Sequence, residues 1–496
     1  MQYQRKLSAD VLVVGAGPSG LSLAAELKLR GISVVLVDRE RRPTPESRAL
    51  GLTIGALEYL LSRGQIGKFG ELRVRDQVHF AGFPLSTAAI PTDLLPAIEV
   101  PQFRTEEILT AWLEEVGGSI TRGQELIDFS QVDDGVVSLL ADDDEARTEV
   151  KSKFIVGCDG SKSTVRSIAG LDFEISKPSV QMLLGDFLDS DLYDNPFGKR
   201  NERGMVMSGP IGDGAVRVIV AEFGAPLLER GKMLTGEEIA DAYERVLGER
   251  FTWKALHWGS SFTDASGLAE SLVDRRAILI GDAAHIHLPA GGQGMNVSIL
   301  DAAALGWRLA QAVRHDSPDL LGTFDEERLT AARALITNTQ AQGQLFLRGA
   351  EADSLREVFA TLLDEPRSAA KLARAVSSID VKYVFDYADD DDAIGWRALS
   401  GSFPELTRDE KTSGLQRSGE WLFVSNDGPD PEQSALLTGA DVRCLETSAI
   451  LLETGQGQQD HRAVLLRPDG VVAWTDRSKA SIDAVLRYWA IGIEQG

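Results

Sequence analysis

Cysteine is nearly absent. Cys158 and Cys444 are the only two thiols in 496 residues, which excludes a disulfide framework and leaves no Cys-x-x-Cys redox pair. A reducing cytoplasm is the expected compartment. Positive charge is also in short supply: 51 Lys and Arg stand against 75 Asp and Glu, a net charge of −24. Nucleic acid and anionic membrane surfaces repel such a chain, so neither is expected as a partner and small molecules are. No stretch reaches the roughly 18–20 uninterrupted apolar residues of a spanning helix. The opening MQYQRKLSADVLVVGAGPSGLSLAAEL has the basic-then-apolar order of a signal peptide, but Gly15, Gly17, Pro18 and Gly20 interrupt the run, and a strand, turn and helix account for it better. Histidine is sparse at six, and HExxH spacing is missing. Only GDAAHIHLPAGGQGMN (281–296) offers a ligand-like group, Asp282 with His285 and His287. With no third His or Cys nearby, no metal is expected there. No internal repeat or low-complexity tract is visible. What is plentiful is hydrophobic residues, 43% of the chain, enough at this length for two or three domains.

Residues 10–38, DVLVVGAGPSGLSLAAELKLRGISVVLVD, read as a buried strand, a glycine turn, an amphipathic helix ending near Gly31, and a second strand closed by Asp38. Gly15 permits the tight turn, Gly17 lets backbone approach a pyrophosphate, and Gly20 lets the helix pack closely on the strand. Asp38 falls where a carboxylate accepts hydrogen bonds from an adenosine ribose. A dinucleotide site follows, for NAD or FAD.

Two further segments carry chemistry. FIVGCDGSKSTVR (154–166) places a strand before Asp159 and Gly160, followed by Arg166, which can hold phosphate or carboxylate. Asp159 or Ser161 as a simple helix cap is the competing reading. RAILIG (276–281) is a buried strand with Asp282 at its carboxyl end, where α/β sheets bind ligands. After Pro289 comes the flexible loop GGQGMN, then a helix over 297–314 with Ile299, Ala302, Ala303, Leu309 and Ala310 inside and Asp301 outside. Its amino terminus would favour the negative charge of a reduced flavin.

GAGPSG, Asp38, CDGSKSTVR and GDAAHIHLPAGGQGMN, in this order and spacing, resemble the single-component FAD-dependent aromatic hydroxylases related to phenol and p-hydroxybenzoate hydroxylases. ESRALG (46–51), VHFAG (78–82), VPQ (100–102) and HLPAGGQGMN (287–296) resemble more closely the aromatic polyketide hydroxylases of angucycline and anthracycline pathways. The resemblance covers most of 8–350 and is visible again after 400. It implies FAD as cofactor, NAD(P)H and O₂ as co-substrates, and hydroxylation of a polycyclic aromatic phenol through a flavin C4a-hydroperoxide. Gly15, Gly17, Pro18, Ser19 and Gly20 would cradle the pyrophosphate, with Asp38 and Arg39 at the ribose. Arg48 would reach the phosphates and Gln102 the ribityl or phosphate region. Asp159 and Arg166 belong to a motif tied to FAD and nicotinamide binding. Gly281 and Asp282 would meet the ribityl chain, while Pro289, Gly292, Gln293, Gly294, Met295 and Asn296 lie along the ring. One departure stands out: Ala304 occupies a position where relatives carry asparagine, with a consequence expected for pocket hydrogen bonding.

The fold implied is α/β: a Rossmann-like, p-hydroxybenzoate hydroxylase-like FAD-binding domain, an antiparallel-sheet substrate domain and a thioredoxin-like carboxyl-terminal domain. The FAD-binding domain is expected over 1–77, 101–177 and 275–350, and the substrate sheet over 78–100 and 178–274. A helical connection over 351–394 leads to the last domain, 395–496. GMVMSGPIGDGAVRVIVAEFG (204–224) reads as two strands with a Gly/Asp turn, and Met205, Met207 and Phe223 are pocket or core residues alike. His79 is a pocket candidate for catalysis, or a packed histidine; no other base is named. HRAVLLRPDGVVAWTD (461–476) is a hairpin, followed by a helix from about 479 to 491, and Cys444 there has no partner for redox work. No second GxGxxG follows, which disfavours a disulfide-reductase architecture, and the WxWxIP of flavin halogenases is missing. Oxygen insertion next to a ketone and a non-catalytic FAD- or NAD-binding sensor stay open as alternatives. A homodimer is compatible with this reading.

Overall fold

The computed structural model describes residues 5–44, 46–71, 73–92, 97–212, 214–229, 231–388, 391–455 and 457–491. Its organising element is the strand Arg5–Val14. Val11, Leu12 and Val13 have no solvent exposure because the strand is paired in parallel on both sides, with Val34–Asp38 and with Arg147–Gly157. The sheet continues outward to Ile120–Arg122 at one edge and, past Arg147–Gly157, to Ala277–Leu279 and Val273–Asp274 at the other. The strands that bear the three motifs are therefore neighbours, and their carboxyl ends share one rim. Helix Pro18–Leu29 packs between this sheet and the long helix Gln293–His315. At Gly20 a β-carbon would lie 1.9 Å from the Gly15 carbonyl oxygen, so only glycine permits the approach.

The long helix corrects two expectations. It starts at Gln293 rather than 297, because Gly292, at φ +65°, turns the chain directly into the first helical turn. Asp301, expected outside, is 2% exposed. Helix Gly322–Phe346 covers that face and supplies Arg328, whose Nε donates to Asp301 Oδ1 at 2.8 Å.

The second sheet is antiparallel, in the order Asn195–Arg200, Gly204–Gly212, Ala215–Glu222, Gln181–Leu188, Ala255–Thr263. The expected hairpin over 204–224 is its centre; Asp213 of the turn lies outside the described residues. Residues 78–100 do not extend this sheet as expected. Gln77–Phe80 pairs with Phe83–Ser86 as a separate hairpin, and Ala97–Glu99 pairs with Gly51–Thr53 and Arg73–Val74. They reach the sheet through side chains: Phe80, Leu85, Met182, Met205 and Leu288 share one apolar cluster. The stretch 351–384 is helical over Asp353–Leu363 and Pro366–Val376 and then runs irregularly through Ser378, whose φ is +60°.

The last domain has strands in the order Arg443–Glu446, Leu422–Ser425, Ala463–Leu466, Val472–Thr475. Its first two strands are parallel around helix Pro431–Gly439, and the RPDG turn closes the expected hairpin. This is the thioredoxin-like pattern, with the last helix limited to Ile482–Tyr488. Cys444 is an exposed free thiol and Cys158 a buried one. No described helix is long and apolar enough to cross a membrane.

A buried ionic seam joins this domain to the first. Arg467 contacts Glu327 at 2.9 and 3.0 Å and Asp469 at 2.6 Å. Arg63 donates to Pro468 O at 2.7 Å and to Glu26 at 2.6 Å. Burial alone would raise the pKa of Glu26; the guanidinium groups of Arg30 and Arg63, with hydrogen bonds from Arg63 and Tyr59, outweigh it and hold it down at about 2. Glu26→Gln leaves two buried guanidinium groups without their carboxylate and should cost about 3–5 kcal/mol. The depressed pKa means this contribution is complete above pH 4.5 and lost as pH falls toward 2. Thermal midpoints of the two proteins should therefore converge as pH falls through that window, and a pH-independent gap would contradict the assignment.

Candidate active site

The glycine turn and the Asp159 loop are locked side by side. Gly15 N–H donates to Val37 O and Cys158 N–H to Val14 O, both at 2.8 Å. Gly15 sits at φ +102°, and a β-carbon there would fall 2.3 Å from the Cys158 carbonyl oxygen. Asp38 stabilises the turn through Oδ2, which accepts Ala16 N–H at 2.7 Å, while Oδ1 accepts Glu40 N–H at 2.8 Å. The next helix opens with Pro18, has no side-chain cap and has no acidic residue in its first turn. Nothing lies within 4 Å of where a Gly17 β-carbon would be. Uncapped N–H groups beside open space are what a pyrophosphate needs. Ser19 is buried against the other motif: a β-carbon on Gly281 would meet its Oγ at 2.9 Å.

Asp282 is exposed between buried Gly281 and Ala283. Its carboxyl group lies within reach of the charge of Arg48. Arg48 is itself exposed, so a cation and a carboxyl group bear on the same opening. Arg39 is exposed and pairs with Glu40 at 3.3 Å. Pro289 and Gly292 are also exposed, and the amino end of Gln293–His315 has neither a side-chain cap nor an acid in its first turn. Asp159 Oδ1 is buried without a partner. These features fit a bound FAD: two uncapped helix ends for phosphate and reduced ring, and carboxyl groups able to accept from sugar hydroxyls.

Several expected contacts are spent on the protein instead. Arg166 donates to Ala283 O at 2.7 Å and to Ser161 O at 3.0 Å, with its guanidinium over Phe173, so it ties the two motifs together rather than standing free for phosphate. Asp159 Oδ2 accepts the N–H groups of Thr164 and Val165, and Ser163 rather than Ser161 caps that helix. Gln102 bonds Ala49 and Glu106, fixing the loop that carries Arg48. Gln293, Met295 and Asn296 are buried. The Asn296 side chain accepts Thr53 N–H at 2.8 Å and donates to Gly51 O and Gly292 O, so this stretch offers its backbone at Gly292 and Gly294. Ala304 lies eleven residues into the helix, about 16 Å from its start. It is buried and its carbonyl accepts Arg308 Nη1. The expected effect of Ala304 on pocket hydrogen bonding is therefore not supported.

The two histidines have separate duties. His285 Nε2 lies 2.8 Å from Asp301 Oδ2, which also accepts Gly281 N–H at 3.0 Å, so one carboxylate holds both ends of the segment bearing Asp282. Burial would raise the pKa of Asp301, but Arg328 first and then His285 bring it down to about 2. His287 bonds Leu288 O through Nδ1, which must carry the proton, and its Nε2 packs on Gly294. Burial lowers its pKa to about 4. Among the described residues no group of three or more His, Cys, Asp or Glu is placed to hold a metal.

His79 is half-buried, stands edge-on to Phe197, and accepts Gly82 N–H at Nδ1. Burial and Arg75 lower its pKa to about 4. The neutral ring thus carries its proton on Nε2 and is a donor, not a base. Met205 is 2% exposed and is core, while Met207 and Phe223 are half-buried at the edge of the same cluster. The Asp301–Arg328 pair escaped the sequence reading; its one signal was an acid within the apolar run from Val297 to Leu305.

The FAD binding domain family matches residues 8–339, and the aromatic-ring hydroxylase C-terminal family matches 391–490. The chain belongs to the FAD-dependent aromatic-ring hydroxylases. This hydroxylase is similar to 12-dehydrotetracycline 5-monooxygenase/anhydrotetracycline 6-monooxygenase of Streptomyces rimosus subsp. rimosus, at 33% identity over 97% of this chain and 98% of that one. It is similar to rifampicin monooxygenase of Rhodococcus hoagii, again at 33% identity over 97% and 98%. The solved structure of CabE, an aromatic hydroxylase from angucycline biosynthesis, superposes with a TM-score of 0.86 at 36% identity, covering 97% of this chain and 99% of that one. The protein is an FAD-dependent aromatic monooxygenase. These likenesses do not favour insertion next to a ketone or a non-catalytic sensor.

The two glycines of the turn should separate folding from cofactor binding. Gly17 has φ −78° and ψ −174°, which any residue adopts, and open space at its β-position. Gly17→Val should leave the circular dichroism and thermal midpoint of the FAD-free protein nearly unchanged while weakening FAD by about 100-fold, about 2.7 kcal/mol. Gly20→Val should instead fail to fold stably. Equal FAD affinity in Gly17→Val and wild type would refute the cradle.

Proposed function

We propose that the enzyme hydroxylates a polycyclic aromatic, polyketide-type phenol, with NAD(P)H as electron donor and O₂ as oxidant. The observation that carries the reading is the apolar cluster joining the antiparallel sheet to the glycine-rich loop. Met207, Ile219, Phe223 and Phe262 from the sheet pack in one cluster with Leu288 and Ala290, the residues flanking Pro289. A flat, apolar, ring-rich molecule suits such walls. The activities named for the tetracycline and rifampicin monooxygenases support the same class.

Bound FAD supplies the redox chemistry, accepting a hydride and activating O₂ toward the ring. The chain's residues position and shield it. The Pro18–Leu29 amino end would hold the pyrophosphate, with Asp38 serving the ribose and Asp282 the ribityl chain. The N–H groups following Gly292 favour negative charge on the reduced ring. His79 Nε2–H is a donor suited to a phenolic or quinone oxygen, and the sheet cluster excludes water from the reacting face.

We further assign the cofactor to 1–77, 101–177 and 275–350, and the substrate to 178–274 with the 78–100 segments packed on it. The helical connection is 351–394 and the last domain 395–496. NAD(P)H docks transiently, since the sequence carries one glycine-rich nucleotide turn. A cytoplasmic enzyme is the expected form, and a homodimer is compatible with it. The test is turnover of tetracyclic phenols under ¹⁸O₂. Substrate-stimulated NAD(P)H oxidation and a product carrying one ¹⁸O are expected. A lactone product, or NAD(P)H oxidation that no polycyclic phenol stimulates, would overturn the reading.

A further inference from the structure

Behind the first turn of the long helix, away from the antiparallel sheet, lies a cavity of about 160 Å³. It is lined by helices Gln293–His315, Gly322–Phe346 and Pro366–Val376, by the irregular segment 378–383, and by Arg397 and Val471 of the last domain. Of the residues assigned to FAD only Gln293 borders it, and no residue of the substrate sheet does.

Its polar lining is unbalanced. Arg397 borders the cavity half-buried and has no carboxylate within 4.0 Å among the described residues; its one side-chain hydrogen bond there goes to the Asp469 carbonyl. The carboxylates nearest in effect are committed elsewhere, Asp469 to Arg467 and Glu58 to Ser400. Other donors converge on the same space. The Tyr383 hydroxyl accepts from Arg328, which leaves its own proton to give. Asn338 Oδ1 accepts from both Gln293 and Gln342, so its amide N–H groups remain available. Against these donors stands one acid, Asp380, which lies 3.9 Å from Arg374. Apart from Arg328, held by Asp301, and Ser378, the rest of the wall is aliphatic, including Val297, Leu300 and Leu335.

A half-buried guanidinium with no carboxylate in contact leaves its charge open to an anionic ligand. An apolar cavity of about 150 Å³ is large enough to bind benzene in a protein interior. We propose that this cavity is a second small-molecule site, which takes a monocarboxylate with a benzene-sized apolar body. The carboxylate sits on Arg397 with Tyr383 and Asn338, and the body lies against Val297, Leu300 and Leu335. With Arg328 committed to Asp301, the one guanidinium left uncommitted favours a monoanion over a dianion, and the apolar walls favour a ring over acetate. Because Gln293 forms part of the wall, an occupant would stiffen the first turn of the flavin-facing helix.

The test is benzoate binding to the FAD-loaded enzyme by calorimetry, with benzamide as the neutral isostere. One saturable site per chain is expected. Arg397→Gln should weaken it at least about tenfold, about 1.4 kcal/mol. Ala331→Leu, which keeps every charge and adds carbons to the cavity wall, should abolish it. If Arg397→Gln does not fold, Ala331→Leu and the benzamide comparison decide alone. Absence of saturable binding up to about 10 mM, a range of a few kcal/mol, would overturn the proposal. So would benzoate affinity unchanged by Ala331→Leu, or benzamide binding as tightly as benzoate; either would place the probe elsewhere, including the substrate cleft.

Discussion

Everything the flavin side needs converges on the carboxylate of Asp301. One of its oxygens holds Gly281 N–H and His285, the two ends of the segment that presents Asp282; the other is held by Arg328. A buried carboxylate is expensive, and this one persists because every direction of approach carries a donor. The result is a fixed distance between the rim of the parallel sheet and the uncapped helix end after Gly292. That distance decides whether a ribityl chain and an aromatic ring can be held together.

From Asp301 the ionic chain continues outward. Arg328 donates to Tyr383, over whose ring Arg467 lies, and Arg467 grips Glu327 and Asp469. The last domain, which has no redox-competent thiol pair, is thereby coupled to the helices that frame the cofactor. Its contribution is mechanical: it closes the seam over Arg63, Arg308 and Arg467, three of the largest fully buried side chains.

The parts legible in the sequence were those governed by local rules. The strand–turn–helix at Gly15–Gly20, the acid closing Val34–Asp38 and the RPDG hairpin follow from residue order alone. The parts that were not legible depend on partners far along the chain. Asp301 reads as a surface position until Arg328, on the next helix, covers it. Arg166 and Gln102 read as ligand contacts because nothing in their neighbourhood reveals Ala283 or Ala49 as acceptor and donor. The hairpin at 77–86 reads as part of the large sheet because strand pattern gives pairing tendency, not pairing partner. Ala304 stands on the same helix as Gly294, about 16 Å from its start, where its residue type alone does not reveal what it faces. The two histidines resolve by the same logic: one is a ligand of Asp301, the other a neutral ring packed on Gly294.

The most direct measurement is the FAD affinity of Asp301→Asn. The carboxamide keeps the shape but cannot accept from Gly281, His285 and Arg328 together, so the segment bearing Asp282 loses its anchor. The account predicts FAD binding weakened by about tenfold or more, about 1.4 kcal/mol, when FAD is titrated into folded apoprotein by fluorescence quenching. An affinity equal to wild type in a folded Asp301→Asn protein would contradict it.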